Sequence, residues 1–242
     1  EIRLSLVGSE MCIRDRETEQ RKLYLAAVVD AREKLRAAKP EDKMTVFAVL
    51  MRLREICCDP RLVADNWTGS SAKLEACLEL VTEAVAGGHR ILLFSQFTSM
   101  LELLAKRLDE AGVSHFTLQG STPKPVRAEQ VRRFNQGEAD VFLISLRAGG
   151  TGLNLTAADI VIHYDPWWNL AAQNQATDRA YRIGQRNPVQ VYRLIAQDTI
   201  EEKIVELQQA KQSLADTVTG GADGAILSMN PEQLLQLLGE EA

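Results

Sequence analysis

Apolar positions recur along this chain with two different periods, and the change between them divides it. Over residues 17–38, Leu23, Ala26, Ala27 and Leu35 stand among charged neighbours in a helical pattern that Pro40 interrupts. A second helix is expected over 44–57 on Val46, Val49, Leu50, Leu53 and Ile56, and Pro60 ends it. The polar stretch NWTGSS at 66–71 reads as a linker with a helix start at Ser71. A boundary falls there.

Past the linker, short continuous apolar runs alternate with helical patterns. A helix over 72–86 leads through Gly87 and Gly88 into the strand run ILLF at 91–94. A helix over 98–111, stopped by Gly112, precedes a strand at 113–118. Then come a helix at 125–136, a strand at 141–144, a strand at 160–162, a helix at 169–183 and a last strand marked by Val189, Val191 and Leu194. Such alternation predicts an α/β fold, a parallel sheet with helices on both faces. Ligands on such sheets bind outside the carboxyl ends of the strands, so the loops after residues 94, 118, 144 and 164 become the informative ones. Residues 199–218 form a long amphipathic helix on Ile200, Ile204, Leu207, Leu214 and Val218, and Pro231 opens a short helix over 231–238.

Composition narrows the class only moderately. The chain has 242 residues, 45% hydrophobic and 25% charged, values of an ordinary globular protein with room for a sizeable core. No apolar run approaches a membrane span, so no membrane partner is expected. The four cysteines show neither metal-ligand spacing nor a disulfide framework, and three unclustered histidines suggest no metal site. A reduced, cytoplasmic setting is the expectation. A net charge of −5 argues against a wholly basic nucleic-acid binder but leaves room for a local basic patch on Lys124, Arg127, Arg132, Arg133 and Arg147. Residues 1–16 fit no pattern found downstream and resemble translated adaptor sequence, so they are left out of the expected fold. A start at Glu1 without methionine reads as a piece of something longer.

The stretch QATDRAYRIGQ at 175–185 carries the most chemistry. Arg179 and Arg182 are three residues apart, so on a helix they share a face and reach one anion together. Their guanidinium groups keep their charge at any working pH and match phosphate oxygens in a planar fork. Gln175 lies two turns before Arg182, near the same face. Solvated ion pairs on an amphipathic helix would produce the same spacing.

The loop SLRAGGTGLNL at 145–155 places Gly149, Gly150 and Gly152 where backbone N–H groups can approach an anion, although a tight turn would also use them. It lacks the lysine and hydroxyl pair of a phosphate-binding P-loop. Gln96, Ser121 and Thr122 present hydrogen-bonding side chains after two other strands, where a helix cap is the competing use. Trp167 and Trp168 follow the strand at 160–162, and both cannot face one core. One of them is expected to be exposed, where it could stack on or wedge against a base or sugar, unless it packs under the arginine helix.

With these segments in order, residues from about 17 to 218 resemble the C-terminal half of a Swi/Snf-type helicase motor, the DNA-translocating branch of helicase superfamily 2. The matching text is MRLREICCDPRLV at 51–63, SAKLEACLEL at 71–80, ILLFSQFTSML at 91–101, LQGST at 118–122, the glycine loop, DPWWN through RIGQ at 165–185, and TIEEKIVELQQAK at 199–211. Leu170 stands where the family usually has proline, and Gln173 where glutamate is common.

The resemblance implies a second RecA-like lobe over 70–198, a helical protrusion over 17–66, and a brace helix with a short helical tail over 199–242. It implies ATP shared with a first lobe that holds the phosphates and Mg2+, with Arg179 and Arg182 as arginine fingers and Gly150, Gly152 and Gln175 shaping the nucleotide side. Gln96, Ser121, Ser145, Arg147 and Trp168 would grip double-stranded DNA, with a nucleoprotein complex as cargo and, in a bacterium, a location on the nucleoid. An RNA helicase lobe and a non-catalytic nucleic-acid-binding module remain the alternatives, and a plain dinucleotide-binding enzyme is a more distant one.

Overall fold

The computed structural model describes residues 7–13, 19–69, 71–146, 148, 153–168, 170–178, 180, 188–215 and 229–239. By its own contacts the chain forms two compact units, residues 1–12 with 74–195, and residues 13–73 with 196–242. The protrusion and brace expected as separate segments therefore fall into one unit.

The first unit is the sheet. Its strands are β1 (Val7–Ile13), β2 (Ile91–Ser95), β3 (His115–Leu118), β4 (Val141–Ser145), β5 (Ile160–His163) and β6 (Gln190–Ala196), in the order β1-β6-β5-β2-β4-β3. Strands β2 to β6 are parallel throughout, in a register that pairs Ile91 with both Val141 and Ile160. Leu92, Phe94, Phe142, Ile144 and Val161 pack in one cluster with Phe134 and Ala176. The alternate residues Ile91, Leu93, Leu143 and Ile162 are equally sealed from solvent. Side chains alternate across a strand, so this burial means both faces of the sheet are covered.

The connecting helices are α3 (Ala72–Ala86), α4 (Thr98–Glu110), α5 (Lys124–Asn135) and α6 (Leu170–Thr177). Met100, Leu101, Leu104 and Leu108, at helical spacing, form the buried stripe of α4. Gly112 and Gly137, at φ +70 and +86, turn the chain after α4 and α5. At Gly137 it is the positive φ that favours glycine, since an added Cβ would meet only the movable end of the Arg90 side chain.

Two expectations are corrected. The helix expected over 169–183 is described only as Leu170–Thr177, with Asp178 and Ala180 in a turn. The Ala180 N–H donates to the Thr177 carbonyl, three residues back, where α-helix would reach four. Arg179 and Arg182 lie outside the described residues, and with them the helical face expected to join them to Gln175. Second, Val7–Ile13 does enter the fold, as an edge strand beside β6. A sheet edge offers a row of unpaired N–H and C=O groups that an extended segment can pair whatever its side chains.

The second unit is helical: α1 (Glu19–Ala37), α2 (Lys43–Cys58), a single 3-10 turn at Pro60–Leu62, α7 (Ile200–Ala215) and α8 (Pro231–Leu237). Asp42 caps α2, accepting from the N–H and the hydroxyl of Thr45, and these bonds hold its carboxyl below the usual range. Asn230 and Gln233 form a reciprocal capping box at α8, with Pro231 at its first turn. Buried Lys73 meets buried Glu201, whose carboxylate also accepts from the Ala196 N–H at 3.0 Å. Burial alone would lower the Lys73 ammonium, but Glu201 beside it carries its pKa above the ordinary value. Among the described residues no helix is long and apolar enough to cross a membrane.

Candidate functional site

The strand order creates the site. From β2 the chain crosses to β3 on one side, whereas from β4 it passes over β2 to reach β5 on the other. The crevice between the carboxyl ends of β2 and β5 is therefore a topological switch point, where open parallel sheets bind ligands. Phe94 pairs with His163 and Ser95 with Ser145, so the loops after β2, β4 and β5 leave the sheet at one level.

At this edge Asp165 is completely buried. Its Oδ1 accepts from the Ser95 hydroxyl at 2.6 Å and from the Gln96 N–H at 3.2 Å. Gln96 itself is half-buried, two residues before α4 begins. Trp167 and Trp168 are both half-buried, an outcome between the exposed and core readings. The Trp167 N–H donates to the side-chain oxygen of Gln173 on α6, 3.2 Å away. Gln173, unusual for the resemblance, thus closes the loop onto the helix that follows it.

His163 was not marked by its sequence context beyond ending an apolar run. It is buried, stacks on Phe94 with ring centroids 5.5 Å apart, and meets the Thr177 hydroxyl at 3.0 Å. Burial, with Arg193 adding to it, pushes its imidazole down to about 3. It is a neutral structural link between β5 and α6.

Gln175 is exposed on α6. Arg147, Gly150, Gly152, Arg179 and Arg182 lie outside the described residues. The flanks of the glycine loop are well anchored: Leu153 and Leu155 enter the core, and Asn135 from α5 donates to the Asn154 carbonyl at 2.8 Å. Ser121 is exposed at the tip of a turn whose Thr122 hydroxyl accepts from the Gln119 N–H at 3.0 Å.

Ser145 ends β4. It is 2% exposed and its hydroxyl accepts from the Ala148 N–H at 3.2 Å, where the glycine loop starts. The basic patch is also weaker than its sequence suggests. Arg132 is paired with Glu129 at 2.9 Å, Arg133 with Glu138 at 2.7 Å while covering the Phe116 ring, and Arg127 donates to the Ala148 carbonyl. Glu129 lies one turn before Arg132 on the helix and Glu138 just past its end, so both arginines pair locally before they can form a field. Among the described residues no His, Cys, Asp and Glu side chains gather as a metal centre.

A parallel sheet covered on both faces, with a switch point at its carboxyl edge, is the architecture of a RecA-like lobe. Residues 72–184 match the helicase conserved C-terminal domain. The chain is 38% identical over 206 residues to an uncharacterized ATP-dependent helicase of Mycoplasma pneumoniae, covering 85% of this chain and 20% of that protein. Over 212 residues it is 37% identical to the mouse SWI/SNF-related matrix-associated actin-dependent regulator of chromatin subfamily A member 1, covering 82% of this chain and 20% of that one. The solved C-terminal domain of the Sulfolobus solfataricus SWI2/SNF2 ATPase superposes with a TM-score of 0.79 at 26% identity, covering 98% of this chain and all of that one. The same ATPase core solved with double-stranded DNA gives 0.80 at 28% identity, over 98% of this chain and 50% of that chain. The chain belongs to the SWI2/SNF2 helicase family, as its C-terminal RecA-like lobe. It spans about a fifth of the length of the curated relatives it matches.

Proposed function

We propose that this chain is the second motor lobe of an ATP-driven translocase on double-stranded DNA, completing an ATP site whose phosphate loop and Mg2+ ligands belong to a first lobe. Bound ATP with Mg2+ supplies the phosphoryl group whose transfer to water drives the cycle. Arg179 and Arg182 neutralise the charge that develops on that group, while Gln175, Gly150 and Gly152 line the nucleotide side. Exposed Gln175, on the helix that leaves the switch point, suits contact with a nucleotide presented from outside the sheet. Gln96, Ser121, Ser145, Arg147 and Trp168 grip the DNA backbone or wedge near it. The brace helix α7 and the protrusion helices α1 and α2 serve the first lobe. The cargo is a nucleoprotein, a stalled polymerase or a repair complex, and the setting is cytoplasmic, on the nucleoid in a bacterium.

The observation that carries this reading is the switch-point edge, where Gln96 and the tryptophan loop are held together beside α6. The test is ATP turnover by the full-length protein with and without duplex DNA. Stimulation by duplex DNA is expected; stimulation by duplex RNA alone would favour an RNA helicase, and no turnover a binding module.

A further inference from the structure

One buried carboxylate is shared by two loops that leave neighbouring strands. Asp165 lies between Tyr164 and Pro166, and all three are buried, so the loop after β5 is anchored by three consecutive residues before it surfaces at Trp167. The Gln96 N–H reaches both oxygens of Asp165, at 3.2 and 3.4 Å, while the Ser95 hydroxyl donates to one at 2.6 Å. That hydroxyl in turn accepts from the Phe97 N–H at 3.1 Å, directly before α4 begins. On the other side, Gln173 ties the Trp167 N–H to α6. Burying a carboxylate is costly unless it is fully hydrogen-bonded, and an apolar side chain could close a turn without that cost. What the carboxylate adds is direction: charge-assisted hydrogen bonds fix the loop after β2 against the loop after β5.

We propose that Asp165 is a positioning residue that locks the Gln96 loop and the Trp167–Trp168 loop into one rigid body with the start of α6. Groups facing DNA on either side of the switch point then move together with the helix that leads to the nucleotide-facing arginines. The coupling part of this inference rests on the motor reading above; the lock itself does not.

The test uses Ser95→Ala, which removes the bond to Asp165 together with the one from the Phe97 N–H, and Asp165→Asn, which keeps the shape and the Phe97 bond but loses the charge. In the 242-residue chain with Trp67→Phe, acrylamide quenching reports Trp167 and Trp168 alone. Losing a charge-assisted bond should raise the quenching constant about twofold while melting stays cooperative. In the full-length protein, triplex displacement per ATP hydrolysed should fall about tenfold, with apparent DNA affinity changed far less. Unchanged quenching in both folded variants would overturn the lock, as would cooperative unfolding of both at low temperature, which would make the network purely structural. Raised quenching with unaltered displacement per ATP would overturn the positioning role. If the wild type shows no DNA-stimulated turnover while quenching still rises, the lock stands and the motor reading fails instead.

Discussion

The imidazole of His163 lies 3.0 Å from the hydroxyl of Thr177, and this contact joins the end of β5 to the last turn of α6. Thr177 also donates to the Gln173 carbonyl at 3.3 Å, so strand, helix and tryptophan loop share one short network. Because burial holds His163 neutral, protons bind the unfolded chain in preference as pH falls. The folded imidazole sits at about 3 against an ordinary value of 6.5, so its contribution is complete above 6.5 and is lost between 6.5 and 3. From pH 7 to pH 5 the linkage costs about 2 kcal/mol. His163→Asn should flatten that part of the stability profile, as measured by urea unfolding at each pH.

Lys73 and Glu201 form a buried pair within the helical unit. Glu201→Gln leaves an ammonium buried without its partner charge and should destabilise that unit by about 3–5 kcal/mol. Lys73→Met with Glu201→Leu removes both charges and should recover much of the loss. Thermal unfolding of the double-mutant cycle checks this; a double variant no better than the single would mean the pair is not coupled.

The surface pairs of α5 should matter little. Arg132 and Glu129 are about half-exposed, and pairs of this kind contribute roughly 0.2–1 kcal/mol. Glu129→Gln should therefore leave stability nearly unchanged while freeing Arg132, and DNA affinity at low salt should rise slightly. A binding titration against salt measures it.

In the full-length motor, Arg182→Ala should slow hydrolysis on the order of a thousandfold or more, with DNA affinity nearly constant. Arg182→Lys should restore little, since an ammonium lacks the planar fork. ATP turnover and DNA binding measured side by side decide it; a parallel fall in both would make Arg182 a DNA-contacting or folding residue.

Trp168→Ala should reduce translocation more than ATP turnover, because base–aromatic contacts are worth roughly 1–3 kcal/mol and their loss loosens the grip at each step. Triplex displacement with turnover in parallel is the measurement. Half-burial of Trp168 sets the other outcome: a large drop in melting temperature would identify it as packing.

If, as proposed, the phosphate loop and magnesium ligands belong to another lobe, the isolated 242-residue chain should neither hydrolyse ATP nor retain it. Phosphate release from the pure chain, tested with and without DNA, would overturn the half-site reading.

Local pattern was enough for the elements of the sheet. Continuous apolar runs such as Ile91–Phe94 and Val141–Ile144 can only be satisfied by burial on both faces, and glycine or proline marks most boundaries. Motif text likewise identified the edge where Gln96, Ser121 and Trp168 emerge. Tertiary structure decided what such text cannot encode. Asp165 reads as one letter of DPWWN, and its bonds to Ser95 and Gln96 bridge 70 and 69 residues. The arginines of α5 looked free until nearby carboxylates claimed them. Periodicity reports which side of an element is buried, because that depends on near neighbours. Which polar group satisfies which depends on strand order, and β4 passing over β2 to reach β5 is settled only when the whole sheet has formed.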